Sequence, residues 1–279
     1  MGVHVAASLP DALAALAARP DAHVLAGGTD FMVEVNFGHR RPEHIVAVAE
    51  VAELRGWRRE GDTVVLGAGL TYTEMLAPDF AALLPALAQA ARGVGSPQIR
   101  NVGTIGGNLG TCSPAGDGLP VLSALDATIE LASAAGRRTL SVHDFMLGVK
   151  RTALQPGEIV VAVRVPLLDG YQGFAKVGVR NAMVISAVSA GLAVDRTGRS
   201  VRLALGAVGP TIVRARAAEA WVANQLPWAG AQVDPTVAAE FGRRAAAETS
   251  PIDDHRSTAA YRRHAVAVLA TRLLRRAFP

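Results

Sequence analysis

Cysteine is nearly missing from this sequence: Cys112 is the only one in 279 residues. A disulfide within the chain is excluded, and so are CxxC metal and redox motifs. The four thiolates of an iron–sulfur cluster cannot come from this chain. Aromatic residues are scarce, at 5%, and no interleaving of basic and aromatic residues points to nucleic acid. No apolar run reaches transmembrane length, because polar residues, glycine or proline interrupt the Ala/Leu/Val-rich stretches. The opening MGVHVAASLP has no charged region followed by a continuous apolar core, so no signal peptide is expected. GxxxxGK[ST] and HExxH do not occur, His255 and His264 have no clustered partners, and Ser113 lacks the GxSxG setting of a hydrolase nucleophile. A soluble, cytoplasmic protein with no nucleic-acid partner is expected.

What is present describes a globular chain. Half the residues are hydrophobic and 19% are charged, the opposite of a disordered composition. The length allows one large or two modest domains. Net charge is +4; the excess is mostly arginine concentrated near the C-terminus, which reads as a docking face or a solvated helix. Glycine is plentiful, with 28 residues, and fits many turns and close backbone approaches.

Periodicity outlines the elements. Ser8 can cap a helix in which Pro10 is an early residue, and DALAALAA sets Leu13, Leu16 and nearby alanines on one face. HVLAGGTD reads as a short buried strand, residues 23–26, entering a Gly-Gly turn. HIVAVAEV and TVVLGAG read as further strands. YTEMLAPDFAALLPALAQAARGVG is helical and broken by its prolines. ATIELASAAGRRTLSVHDFM places two strands around an Ala-Gly turn. GFAKVGVR, ISAVSAGLAVD and VRLALGAVG predict three more strands. From Val213 onward the spacing is helical, in AAEAWVA, PTVAAEFGRRAAAE and TAAYRRHAVAVLATRLLRRAF. In the last, Tyr261, Val268 and Leu269 share an apolar face, with Arg262, Arg263, Arg272, Arg275 and Arg276 largely outside it. Strands followed by helices indicate an α+β unit. Composition places a boundary around residues 166–170, giving units of 1–169 and 170–279.

The chemistry lies in the glycine turns. GAGLTY begins like a dinucleotide fingerprint but lacks the third glycine. AGGTD and TIGGN are different: each has two adjacent glycines after a short apolar approach, followed by a polar residue. Together they can present backbone N–H groups to a pyrophosphate without a lysine. Thr29, Thr104 and Asn108 add hydroxyl and amide groups. Ordinary loop turns are the alternative reading of each pair.

The stretches LAGGTD, SPQIRNVGTIGGNL, CSPAGDGLPVLSALDATIEL, PGEIVVAVRVP, FAKVGVRNAMVISAVSAGL and SPIDDHRSTAAYRRHAVAVL cover nearly the whole chain in order. They resemble the flavoprotein medium subunit of the xanthine dehydrogenase and carbon monoxide dehydrogenase group, the molybdenum hydroxylases. The resemblance implies an α+β fold: an FAD-binding domain of the vanillyl-alcohol-oxidase (PCMH) type with two subdomains. A smaller C-terminal α+β domain, like that of carbon monoxide dehydrogenase flavoproteins, has a three-stranded antiparallel sheet and helices. It implies FAD in this chain, and partner subunits carrying [2Fe–2S] clusters (the small one) and a molybdopterin cofactor (the large one), as a dimer of heterotrimers.

By the same resemblance Leu25, Ala26, Gly27, Gly28, Thr29 and Asp30 fall in the first pyrophosphate loop, and Thr104, Gly106, Gly107 and Asn108 in the second. Asp117 stands where a carboxylate hydrogen-bonds FAD, Val160 would pack beside the flavin ring, and Lys176 matches a basic FAD-contacting position. Arg180 would lie on a flavin-gating segment, and Val184 departs from the acidic residue many members carry nearby. Asp117 can also cap a helix beginning at Gly118, and Lys176 can be a surface lysine. The expected function is electron transfer from iron–sulfur clusters to a terminal acceptor. A stand-alone flavin oxidoreductase and a noncatalytic FAD-binding scaffold are the alternatives.

Overall fold

The computed structural model describes residues 2–230 and 232–279. The chain opens with a strand, Gly2–Val5, and a helix, Leu9–Ala18, whose start is set by Ser8 accepting from the Asp11 N–H. The helix returns the chain to a second parallel strand, His23–Leu25; a third, His44–Ala47, inserts between them. The short parallel sheet therefore delivers the first glycine turn at the carboxyl end of a strand, where ligands of open α/β sheets sit.

An antiparallel five-stranded sheet follows, in the order Trp57–Glu60, Thr63–Gly67, Ile159–Pro166, Thr128–Ser133, Gly136–Ser141. Its central strand Ile159–Pro166 carries a bulge: Val160 pairs with Leu131, but Ala162 pairs with Glu130. An inserted residue reverses the alternation of faces. Ile159 and Val161 pack toward the parallel sheet, Val160 toward the main core, and beyond the bulge Val163 and Val165 take over that side. Prolines start helices rather than merely break them: Pro78, Pro85 and Pro97 each open one, the position where a missing N–H costs nothing.

A second antiparallel sheet is formed by Gly170–Val177, Val188–Asp195 and Ser200–Gly206, with the two-residue strand Val213–Arg214 at its edge. Four strands replace the expected three: Val213, where helix was expected, still pairs with Leu205, and the helix begins at Arg216. Both faces of this sheet are buried. Val188, Ala190, Leu192 and Val194 meet the helices Arg216–Ala223, Pro235–Ala247 and Ala259–Ala277. Gly191 and Gly206 on the other face lie so close to Pro120 that a Cβ there would stand 2.9 Å from its carbonyl oxygen and 3.0 Å from its ring, respectively. Small residues thus let the sheet close onto helix Gly118–Ala124.

The C-terminal helix has the expected length but another phase. Tyr261 is 49% exposed and Arg262 only 2%, so the arginine, not the tyrosine, faces inward. Its guanidinium donates to Ala187 O (2.7 Å), Ala207 O (2.8 Å) and Asp254 Oδ1 (2.6 Å). Burial of an arginine is tolerable only with such partners. Desolvation pushes the Asp254 carboxyl up, but the Arg256 N–H and the Arg262 guanidinium hold it down at about 2.

Candidate functional site

A cleft of about 1150 Å³ runs between the two glycine turns and on toward the second sheet. The turns touch backbone to backbone. A Cβ on Gly27 would overlap the Val102 carbonyl, just before the second turn, and one on Gly106 would stand 2.6 Å from the Ala68 carbonyl oxygen. Gly28 has φ +70, a conformation that favours glycine. These three glycines are required by close approach or by backbone conformation. Gly107 is freer: a Cβ there meets only the Thr104 hydroxyl oxygen, at 3.1 Å.

The two turns differ in what their N–H groups do. Among the described residues the backbone N–H groups of Gly27, Gly28, Thr29 and Asp30 find no acceptor. In the second turn Gly106 N–H already donates to Ala68 O (2.8 Å), and Gly107 N–H to Thr104 Oγ1 (3.0 Å). Thr104 is thus the N-cap of helix Ile105–Thr111. Two nests of idle N–H groups were expected; the first turn has one, while the second has spent these two glycine donors, one on Ala68 and one on the cap of its own helix.

Leu25, Ala26, Gly27, Gly28, Thr29, Asp30, Thr104, Gly106, Gly107, Asn108, Asp117 and Val160 all line the cleft. Lys176 does not. From strand Gly170–Val177 its side chain runs under Asp117 and donates to Asp117 Oδ2 (2.6 Å), Gly93 O (2.8 Å) and Val184 O (3.2 Å). All three ammonium protons are engaged. Nor is it an exposed surface lysine, since only 16% of the side chain is accessible. Asp117 Oδ1 accepts from the Ser186 hydroxyl at 2.6 Å. Asp117 precedes helix Gly118–Ala124 but makes no side-chain cap, so the capping alternative is not realised. Burial pushes its carboxyl upward, against the pull of the Lys176 ammonium and the Ser186 hydroxyl. Each oxygen keeps a lone pair for a further donor.

Arg180 is exposed and folds back onto the carbonyls of Ala182 and Met183, outside the cleft lining, whereas Val184 and Ile185 line it. Cys112 is buried, its thiol raised by desolvation, and it does not line the cleft. Lining residues missed in the sequence include Glu34, Arg40, Tyr72 and Lys150. Tyr72 ends the GAGLTY stretch, and the other three belong to no glycine motif. Ser186 was also missed; its only signal was its place inside ISAVSAGLAVD, just ahead of the strand Val188–Asp195.

The residues fit a flavin dinucleotide. The Asn108 Oδ1 is buried with no hydrogen-bond partner, a cost that a bound donor removes. The idle N–H groups of the first turn suit a phosphate. These are the features of a nucleotide-cofactor site in an α+β fold. A family described as the FAD binding domain in molybdopterin dehydrogenase matches residues 1–168, and one described as the CO dehydrogenase flavoprotein C-terminal domain matches residues 174–277. The glyceraldehyde dehydrogenase medium chain of Sulfolobus acidocaldarius is 32% identical over 95% of this chain and 93% of its own. The carbon monoxide dehydrogenase medium chain of Afipia carboxidovorans is 31% identical over 98% and 95%. Among solved structures, a carbon monoxide dehydrogenase of Hydrogenophaga pseudoflava superposes with a TM-score of 0.90 at 31% identity, covering 100% of this chain and 96% of that one. This chain belongs to the FAD-binding medium-subunit family of the molybdenum hydroxylases, and is a flavoprotein component of an oxidoreductase. No helix among the described residues is long and apolar enough to cross a membrane.

Proposed function

We propose that this chain is the electron-transferring subunit of a molybdopterin-dependent hydroxylase or dehydrogenase. It works between an iron–sulfur small subunit and a terminal acceptor, with a molybdopterin large subunit meeting the organic substrate, as a cytoplasmic dimer of heterotrimers. Residues 1–169 hold the cofactor and residues 170–279 form a second domain closing the cleft. Bound FAD supplies the redox chemistry. The chain's own residues do the rest. The N–H groups of Gly27, Gly28, Thr29 and Asp30 bind the diphosphate, with Leu25 and Ala26 leading into the turn. Thr104 keeps its hydroxyl proton to donate, Gly106 and Gly107 let the ligand approach the backbone, and Asn108 Oδ1 accepts. Asp117 accepts from the flavin imide or a sugar hydroxyl, and Val160 supplies an apolar wall. Lys176 acts through Asp117, holding its carboxylate charged and in place.

The observation that carries the reading is that Asp117, buried and held by Lys176 and Ser186 from behind, lines the same cleft as a glycine turn with idle N–H groups. Titration of the apo chain with FAD, followed by flavin fluorescence, tests it: equimolar binding is expected. Asp117→Ala should weaken binding about ten- to a hundredfold, the loss of a hydrogen bond to a charged group. Mixed anaerobically with an organic substrate, the isolated chain should keep its flavin colour, and adding both partner subunits should bleach it. Bleaching without partners would favour the stand-alone oxidoreductase.

A further inference from the structure

We propose that Lys150, reaching across the cleft to Glu34 and Asp30, is the counterion for the diphosphate of the bound dinucleotide. This rests on the reading that the first glycine turn takes that diphosphate.

Of the 28 basic residues only Lys150 and Lys176 are lysine. Lys176 is fully engaged beneath Asp117. Lys150 lines the cleft with 48% of its side chain accessible. Its backbone is fixed in the left-handed region, at φ 53, in the hairpin of Met146–Gly148 and Arg151–Thr152. Its N–H donates to Cys112 O at 3.1 Å, anchoring the hairpin just past the end of the second glycine helix. From there its ammonium bonds Glu34 and lies 3.7 Å from Asp30 Oδ2.

Charge decides what the ammonium is for. The first turn offers idle N–H groups to a dianion but contains no cation, and it ends in a carboxylate, Asp30. Glu34 adds a second carboxylate to the same rim. Two anions beside a diphosphate repel it unless they are neutralised. Two cations stand against them. Arg40 is tied down: it bonds Glu34 at 2.8 Å and His23 at 3.2 Å, and lies over the Phe31 ring. Lys150 carries a compact charge on a flexible stem and is the one within 4 Å of the glycine turn's own carboxylate. It balances the rim, and it can swing from Glu34 to a phosphate oxygen without moving the backbone.

The test uses the apo chain titrated with FAD and with ADP at several salt concentrations. Lys150→Gln should weaken both about three- to tenfold, the effect of one partly screened unit charge, and flatten the salt dependence of Kd. Lys150→Arg should restore most of the affinity. Glu34→Gln should tighten both ligands and steepen the salt dependence, because it leaves the rim more positive. A strut that merely joins the hairpin to the helix behaves otherwise. Cutting it from either end would loosen the cleft, so Glu34→Gln would weaken binding as Lys150→Gln does. Unchanged or weaker binding by Glu34→Gln, or unchanged binding by Lys150→Gln, overturns the proposal. A wild-type chain that binds neither FAD nor ADP would instead overturn the reading on which it rests.

Discussion

The two glycine turns are near twins in sequence, AGGTD and TIGGN, yet they do different work. In the first, the polypeptide leaves a parallel strand and its N–H groups find no acceptor among the described residues. In the second, the Gly106 N–H is taken by the Ala68 carbonyl and the Gly107 N–H by Thr104, the cap of the helix the chain enters. One turn is open for a ligand's charge; the other presents shape, a threonine hydroxyl and an asparagine side chain. A glycine pair announces that backbone comes close to something, and the acceptors that the fold brings to its N–H groups decide whether the something is a ligand or the protein itself.

The largest expected effect breaks the contact between the turns. Gly27→Ala places a Cβ on the Val102 carbonyl, where no side chain can move aside. A loss of about 3 kcal/mol of stability or more is expected, together with FAD binding, because overpacking against backbone is at the costly end of its range. Urea unfolding with and without FAD checks both. Wild-type stability would mean the turns are not packed as described.

Next comes the carboxylate the turns share the cleft with. Lys176→Met leaves Asp117 buried without its cation, a loss of about 3–5 kcal/mol for breaking such a pair. The sign for pH follows from the direction of the shift. Burial already raises the Asp117 carboxyl, and the lysine opposes it. Without the lysine the carboxyl rises further, so the fraction able to accept a hydrogen bond falls as pH falls. FAD affinity of the variant should therefore fall with decreasing pH more steeply, and from a higher pH, than that of the wild type. Parallel pH profiles would contradict a role through Asp117 and restore direct contact with the cofactor.

Smaller effects distinguish neighbours within the second turn. Gly106→Ala pushes a methyl against the Ala68 carbonyl and should cost about 1–3 kcal/mol, whereas Gly107→Ala, facing only the Thr104 hydroxyl, should cost less than about 1 kcal/mol. The bulkier Gly107→Val should fold and lose most FAD. Equal effects of Gly106→Ala and Gly107→Ala in a denaturation series would erase the asymmetry. Smallest is Thr104→Val, which removes the cap from Gly107 N–H and should lower stability by about 1 kcal/mol.

Much of this was legible in the sequence because it is local. Ser8 and Asp11 are three residues apart, and Pro78, Pro85 and Pro97 act on the turns that they begin. The nearly unbroken run of small and apolar residues in Val188–Asp195 follows from a sheet with two covered faces. The helix Ala259–Ala277 was legible in length but not in phase. An arginine in an apolar periodicity reads as solvent-facing, and only Ala187, Ala207 and Asp254 arriving from elsewhere make it an inward residue. The strand Val213–Arg214 was missed for a related reason: two residues carry no periodicity.

The sequence by itself determined the α+β class, the two glycine turns, the family resemblance, and the absence of any thiolate set for a metal cluster, since each is a matter of composition or of residues adjacent along the chain. Only the tertiary structure decided which turn keeps its N–H groups, that Lys176 serves Asp117 from 59 residues away, and that Lys150 meets Glu34 across 116. Ion pairs of that kind have no periodic signature. They arise where folded elements bring opposite charges together in a place that water has partly left, and there the energy of pairing, weak in the open chain, becomes large enough to hold a side chain in one position.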